Sequence, residues 1–339
     1  MLSQPSPAPE LLRVTDLVTS FPLGRDVLGR PRGEVQAVAG VSFAMRAGET
    51  LGLVGESGCG KSTIARTIVG LEKPRSGSVE INGRDWKTLS AKLLREAKCD
   101  VQMVFQDPFS SLNPRMTVRE LLTEPWLVHP GVVPRSQWNA RVGELLDVVG
   151  LSARHADRLP TQFSGGQLQR ISIARALALK PRLLIADEAV SALDVSVQAQ
   201  ILNLLAQLRV DFGLGVLFIS HDLSVVRHLC DRVAVMYLGK VVEIGDREQV
   251  YSEPVHPYTQ ALLSAAPALY PWRINNRKVP VDEGEVPSPA NPPSGCRFRT
   301  RCPKAQSRCS EEEPLLELRG FSHPSACHYA AADMSLVGS

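Results

Sequence analysis

One motif constrains the fold of this chain more than any other feature. Residues 55–63 read Gly-Glu-Ser-Gly-Cys-Gly-Lys-Ser-Thr and fit the spacing G-x-x-x-x-G-K-S/T. An apolar run at 51–54 precedes the motif, and a helix-like stretch at 64–69 follows it. In this order of strand, loop and helix, glycine-rich backbone can wrap a polyphosphate and the N–H groups at the helix start face the anion. The motif therefore predicts an α/β core that binds a nucleoside triphosphate.

The motif also assigns individual roles. Lys61 would reach the β- and γ-phosphates, and the hydroxyl of Ser62 would ligate Mg²⁺. A glycine-rich turn before a capped helix is the alternative, but all four fixed positions and both flanks fit the phosphate-binding loop. The predicted nucleotide-binding residues of the loop are Gly55, Ser57, Gly58, Cys59, Gly60, Lys61, Ser62 and Thr63.

A second pattern supplies carboxylates. Residues 183–188 read as a buried strand that ends in Asp187 and Glu188, where the carboxyl end of a parallel strand would place them beside the phosphates. Asp187 suits a magnesium ligand, and Glu188 suits the general base that polarises an attacking water. An acidic strand end in solvent is the alternative when the pattern is taken alone.

A third pattern predicts a second anion site. Residues 163–167 read Phe-Ser-Gly-Gly-Gln and are followed by a helical apolar pattern. A hydroxyl and bare amides at a helix start favour an anion, so Ser164, Gly165, Gly166 and Gln167 become nucleotide-binding candidates. A chain that binds one nucleotide does not need two γ-phosphate sites. A head-to-tail dimer would explain the second site, because this surface would then cover the nucleotide bound to the other subunit.

With these three motifs in order, the chain resembles the ATP-binding subunits of ABC transporters over residues 10–255. The resemblance implies a Q-loop glutamine at Gln106, a D-loop at 191–194, a switch histidine at His221 and an adenine-stacking aromatic at Phe21. Phe163 stands where the family more often has Leu. Phe163 keeps an apolar residue before the Ser-Gly-Gly turn, so we expect this departure to cause no loss of function.

The resemblance completes the predicted site. It implies a catalytic set of Glu188, His221 and Gln106. It implies a magnesium set of Ser62, Gln106 and Asp187. To the nucleotide-binding residues named above it adds Phe21, Asp187 and Asp194.

Composition limits the class of function. The chain has 339 residues, of which 44% are hydrophobic, enough for a full core and a further small domain. Its 38 basic and 35 acidic residues nearly balance at a formal charge of +3, which argues against a dedicated nucleic-acid binder. The sequence has no apolar run of membrane-spanning length and no signal pattern. We expect a peripheral protein on the cytoplasmic face of the membrane.

Periodicity outlines the domains. Residues 1–10 are predicted to form a flexible tail, and 11–250 the ATPase domain, with an antiparallel β subdomain and a helical subdomain at about 107–180. Strands at 12–21 and 35–45, with a loop at 22–33 between them, and a hairpin near 79–83 would form the β subdomain. Residues 251–339 form a C-terminal region with a Pro-rich connector at 280–293.

The C-terminal region carries a cysteine cluster. Cys296, Cys302, Cys309 and Cys327 follow the spacing C-x5-C-x6-C-x17-C. Metal coordination is a better interpretation than disulfides in a cytosolic ATPase, and the spacing leaves zinc, iron–sulfur and free thiols open. His323 and His328 add to the zinc alternative. The region also resembles the C-terminal part of the di- and oligopeptide importer branch, which implies a 4Fe–4S cluster with a structural role, far from the ATP site.

The resemblance implies an ATPase that drives uptake of di- and oligopeptides. Its implied partners are a second, paralogous ATPase subunit, two transmembrane permease subunits and an extracytoplasmic substrate-binding protein, and no nucleic acid. A soluble ABC ATPase of DNA repair or translation and an importer of nickel or another small solute are the alternatives. An exporter fits less well, because exporter cassettes are commonly fused to membrane spans.

Overall fold

The computed structural model describes residues 9–24, 33–191, 193–265 and 286–332. Most of the predicted tail, most of the predicted loop at 22–33 and the first part of the predicted connector lie outside the described residues. The chain divides into two compact units. Unit 1 comprises Met1–Leu12, Ala44–Glu49 and Glu80–Leu217, and unit 2 comprises Arg13–Phe43, Thr50–Val79 and Phe218–Ser339.

The described residues form ten strands. They are β1 (Glu10–Pro22), β2 (Glu34–Arg46), β3 (Thr50–Val54), β4 (Ser76–Ile81), β5 (Arg84–Asp85), β6 (Val101–Val104), β7 (Leu183–Asp187), β8 (Gly215–Ser220), β9 (Arg232–Tyr237) and β10 (Lys240–Asp246). Strands β3, β7 and β8 are buried along their whole length, as their continuous apolar sequences require.

The same residues form eleven α-helices. They are α1 (Lys61–Ile68), α2 (Ala91–Ala97), α3 (Pro108–Ser111), α4 (Val118–Val128), α5 (Trp138–Val148), α6 (Gly165–Leu177), α7 (Val195–Phe212), α8 (Leu223–Leu229), α9 (Arg247–Ser252), α10 (Pro257–Ala265) and α11 (Arg308–Glu311). None of the helices in this described part is long and apolar enough to cross a membrane.

Unit 1 joins a parallel strand pair to a group of helices. Strands β6 and β7 run parallel, with residues 101–104 opposite residues 183–186. Helix α6 packs on α3, α4, α5 and α7. In α4 the buried Trp126 donates its indole N–H to the carbonyl of Ala178 at 2.9 Å, and its ring lies 5.7 Å from that of Trp138. The Trp126 hydrogen bond thus fixes the C-terminal end of α6, since Ala178 is the C-cap of that helix.

Unit 2 carries the phosphate-binding motif. Its strands β10, β9 and β3 lie in that order, with β9 antiparallel to β10 and parallel to β3. The motif connects β3 to α1. Residues 324–326 form backbone hydrogen bonds with β10. Ile244 donates its N–H to the carbonyl of Pro324 at 3.2 Å, and Ala326 donates its N–H to the carbonyl of Val242 at 2.8 Å.

Most sequence-based elements are confirmed. The strands predicted at 12–21 and 35–45, the hairpin near 79–83 and the helices between 107 and 180 are all present. One turn differs. The sequence over 232–244 predicts a hairpin with Gly239 and Lys240 at its turn, whereas Lys240 already pairs with Tyr237 as the first residue of β10. Leu238 takes the turn position instead, with a φ of 41°, a conformation that apolar residues rarely adopt.

Candidate functional site

At two positions the backbone of the phosphate-binding loop leaves room only for glycine. Gly55 has a φ of 154° and Gly60 a φ of 107°. A Cβ on Gly55 would lie 2.1 Å from the carbonyl oxygen of Met236, and one on Gly60 would lie 2.1 Å from that of Ala37. The glycines therefore let this loop pass close to neighbouring backbone as well as adopt an open curve.

Lys61 begins α1 and lies inside the loop. Its side chain is 5% exposed, and its ammonium donates to the carbonyls of Gly55 at 2.8 Å and Glu56 at 2.9 Å. Ser57 and Gly58 are exposed at the rim of the loop. The loop thus presents exposed backbone around a buried positive charge, which is the chemistry that a polyphosphate needs.

Cys59 has a structural role in the loop. Its side chain is buried, and burial raises the pKa of its thiol. Its N–H donates to the carbonyl of Glu56 at 3.3 Å, and its carbonyl accepts from the N–H of Gly239 at 2.8 Å. The β9–β10 turn therefore stabilises the loop through this hydrogen bond. The sequence motif gives no signal for the contact.

Two further predicted residues belong to unit 2. His221 directly follows β8 and is exposed. Phe21 is half-buried near the end of β1. The switch role of His221 and the adenine-stacking role of Phe21 stay predictions.

Unit 1 brings two predicted catalytic residues into contact. The side-chain amide of Gln106 donates to Oε2 of Glu188 at 2.8 Å, across 82 positions of sequence. Asp187, the last residue of β7, is almost fully buried beside it in the chain. Glu188 has a φ of 45°, a left-handed conformation that costs energy in a non-glycine residue and is often found at functional sites. Its carbonyl accepts from both the N–H and the hydroxyl of Ser191, at 3.1 and 3.0 Å.

The second predicted anion site is a helix N-terminus. Ser164 caps α6 in a capping box, in which the Ser164 hydroxyl accepts from the N–H of Gln167 and the Gln167 side chain accepts from the N–H of Ser164. A Cβ on Gly166 would lie 2.5 Å from Val197, so this glycine is required for packing. The side chain of Gln167 therefore caps α6, and its nucleotide-binding role stays a prediction. Asp194 occupies the N-cap position of α7 and is exposed.

The four C-terminal cysteines meet at one small cavity. Cys296, Cys302, Cys309 and Cys327 all line it, together with side chains that include His256 and Phe298. No group of three or more His, Cys, Asp or Glu residues in the described parts of the chain is arranged to hold a single metal ion. The structure therefore brings the four predicted cysteines together at one place in unit 2.

The thiols lie among backbone donors. Burial raises the pKa of Cys296 and of Cys327 to about 11, and it also raises that of Cys302. Backbone N–H groups two residues further along the chain oppose this effect at each of the three, because a hydrogen bond to sulfur stabilises the thiolate. These donors belong to Phe298, Lys304 and Tyr329.

The expectation that the cysteine region lies far from the ATP site is wrong. Arg301, the residue before Cys302, forms a two-bond ion pair with Glu56 of the phosphate-binding loop, at 2.9 and 3.1 Å. Spacing along the chain gave no signal of this contact, because 245 positions separate the partners.

Sequence reasoning also missed a buried polar network around Glu243. Its fully buried carboxylate accepts from the N–H groups of Val255 at 2.9 Å and His256 at 3.0 Å, and from Nε2 of His323 at 2.6 Å. His323, which the sequence offered as a zinc ligand, therefore uses its Nε2 in a hydrogen bond to Glu243. Burial lowers the pKa of His256 to about 4, so its ring is neutral at neutral pH.

The chain is similar to known transport proteins along most of its length. A model described as "ABC transporter" matches residues 38–191, and one described as "Oligopeptide/dipeptide transporter, C-terminal region" matches residues 242–309. The oligopeptide transport ATP-binding protein AppF of Bacillus subtilis is 52% identical over 94% of this chain and 97% of its own. The di/tripeptide transport ATP-binding protein DppF of Pseudomonas aeruginosa is 46% identical over 94% of this chain and 98% of its own.

Solved structures agree with these relatives. The ATP-binding cassette MJ0796, in a dimeric post-hydrolysis state bound to ADP and Pi, matches with a TM-score of 0.61 at 29% identity, covering 70% of this chain and 99% of that one.

Proposed function

Because this chain belongs to the ATP-binding subunits of ABC transporters, in their oligopeptide and dipeptide branch, we propose that the ATP it hydrolyses drives uptake of short peptides through a membrane importer. One observation carries the proposal: identity near 50% with oligopeptide transport proteins extends over nearly the whole chain. The C-terminal region is matched as well, by the family model over residues 242–309.

The proposed roles in hydrolysis follow from chemistry at each residue. Lys61 holds the β- and γ-phosphates through its ammonium, and the oxygens of Ser62 and Asp187 suit Mg²⁺, a hard cation that prefers oxygen ligands. Glu188 accepts a proton from the attacking water. The amide of Gln106 orients the Glu188 carboxylate by donating to Oε2, and its side-chain oxygen suits the metal. His221 donates to or accepts from the γ-phosphate region as a switch residue.

We further propose that two ATPase subunits act head to tail. In this arrangement Ser164, Gly165 and Gly166 of one subunit meet the γ-phosphate bound to the loop of the other. The capped start of α6 supports the proposal, since its first amides form a natural anion site. A paralogous second ATPase, two transmembrane permease subunits and an extracytoplasmic binding protein would complete the importer, with this chain as a peripheral subunit on the cytoplasmic face of the membrane.

The decisive experiment replaces the proposed base. Glu188→Gln in the assembled importer should lower ATP turnover by roughly 10²–10⁴ and abolish peptide uptake, while ATP stays bound. Glu144→Gln changes an exposed glutamate in an ion pair with Arg141 and is the matched control. Near-normal turnover in Glu188→Gln would place hydrolysis in the partner chain. Normal ATP-driven uptake of nickel without uptake of peptides would replace the proposed substrate.

For the C-terminal region we propose a 4Fe–4S cluster held by Cys296, Cys302, Cys309 and Cys327. Support comes from the shared cavity and from the backbone donors at three of the sulfurs. When bound, the cluster would supply folding free energy to the region.

Metal analysis tests this second proposal. Anaerobically purified protein should contain about four irons per chain and absorb broadly near ~400 nm. Cys309→Ser should lose both signals. Cys99→Ser, at a half-buried cysteine outside the cluster segment, should keep them. Stoichiometric zinc, or metal-free protein with free thiols, would contradict the cluster and leave the ATPase assignment unchanged.

A further inference from the structure

The C-terminal region contacts the phosphate-binding loop through an ion pair with Glu56. This glutamate is the first variable residue of the loop motif, where the motif itself makes no demand on the side chain. We propose that Arg301 is a positioning residue for ATP binding, which holds the loop in its binding conformation through Glu56. The proposal goes beyond the cluster proposal, because it concerns the arginine and not the ligand of the cysteines.

The ion pair has the geometry of a strong one. Two guanidinium nitrogens of Arg301 donate to the two carboxylate oxygens of Glu56, at 2.9 and 3.1 Å. The side chain of Arg301 is 13% exposed and that of Glu56 is 28% exposed. Paired two-bond contacts fix orientation as well as distance, and partial burial protects them from screening by salt.

Arg301 is itself held in place. Its N–H donates to the carbonyl of Phe298 at 3.0 Å, and its guanidinium lies 5.9 Å from the ring centres of both Phe298 and Tyr237. Phe298 is fully buried, 5.2 Å from Tyr237 between ring centres. An arginine fixed by aromatic rings loses little conformational freedom in the pair, so it can transmit the position of the segment to the loop.

The backbone of Glu56 is fixed by the same region. Its N–H donates to the hydroxyl of the buried Tyr258 at 2.9 Å, and its carbonyl accepts from the ammonium of Lys61 at 2.9 Å. The ring of Tyr258 lies 5.4 Å from that of Phe298. Glu56 thus connects the aromatic cluster to the lysine that is proposed to bind phosphate.

The ion pair between Arg301 and Glu56 favours ATP binding through two physical effects. A loop that is already ordered gives up less conformational entropy on binding. A glutamate in a loop that binds a polyanion also repels it, and Arg301 neutralises that charge at contact distance. Removing Arg301 cancels both effects, whereas removing the charge of Glu56 cancels only the first.

This difference sets the experiment, which measures Mg-ATP affinity on the full chain. Arg301→Gln should weaken ATP binding about 10-fold, and Glu56→Gln about 3-fold. The double variant should bind no more weakly than Arg301→Gln, because removing the charge of Glu56 also removes the repulsion that loss of the arginine leaves behind. Arg301→Lys should recover part of the affinity. In the assembled importer, Arg301→Gln should raise KM for ATP and leave kcat nearly unchanged.

The matched control is Arg308→Gln, which removes an exposed ion pair with Glu312 in the same segment. It should leave ATP affinity unchanged. The inference rests on the proposed phosphate-binding role of the loop, which Lys61→Ala tests separately by abolishing binding. Unchanged affinity in Arg301→Gln, or a double variant as weak as the product of the singles, about 30-fold, would overturn the proposal. If Arg301→Gln does not fold, unchanged affinity in the isosteric Glu56→Gln would overturn it alone.

Discussion

The buried carboxylate of Glu243 offers a test of how the C-terminal region is attached to unit 2. Glutamine has the same shape, but one of its two terminal atoms is an amide nitrogen that donates. Oε1 of Glu243 accepts from Val255 and His323, and Oε2 accepts from the N–H of His256. In Glu243→Gln the best arrangement keeps the oxygen at the Oε1 position. The amide nitrogen then faces the N–H of His256, donor against donor.

The cost follows from this geometry. Leaving the buried N–H of His256 without an acceptor costs about 1–3 kcal/mol, and replacing a carboxylate by a neutral oxygen weakens each remaining bond by about 1 kcal/mol. With two remaining bonds, to Val255 and His323, the sum is about 3–5 kcal/mol. The loss should appear in the opening reaction that exposes this network, since it joins β10, the start of α10 and residues 323–326.

Native-state hydrogen exchange resolved by mass spectrometry measures that opening. Protection in peptides covering 255–262 and 320–328 should fall by about 100-fold or more in Glu243→Gln, and protection in β7 should change little. The control is Glu248→Gln at an exposed ion pair with Arg247, where about 0–1 kcal/mol is expected. Equal protection in wild type and Glu243→Gln would refute the claim that the three hydrogen bonds stabilise the attachment.

Three further outcomes are expected. Ser164→Arg should impair ATP hydrolysis by the assembled complex while the isolated chain binds ATP normally; equal loss of binding in the isolated chain would mean that the segment only folds the subunit. Gly60→Ala should abolish ATP binding without unfolding the chain, because its Cβ would strike the carbonyl of Ala37, and calorimetric titration checks this. Trp126→Phe should cost about 1–3 kcal/mol in denaturant unfolding, because it leaves the buried carbonyl of Ala178 without its donor. Unchanged stability would show that water or a shift of α4 replaces the bond.

Features that are local in the chain could be predicted from the sequence. The phosphate-binding loop, the acidic end of β7 and the Ser-Gly-Gly start of α6 each depend on residues within about ten positions of one another. Backbone conformation, capping and strand or helix period act over this range. The family resemblance rested on the order of such local patterns, and the comparisons confirm it.

Contacts between distant parts of the chain were decided by tertiary structure. The sequence named Gln106 and Glu188 separately, and packing in unit 1 brought their side chains to 2.8 Å. It named four cysteines but placed them far from the nucleotide, whereas folding of unit 2 set Arg301 against Glu56. Such pairs carry no signal in a single sequence, because many charged residues could pair and only burial of a common core selects which ones meet. For the same reason no sequence pattern singled out Glu243, whose buried carboxylate binds His323 and attaches the C-terminal region.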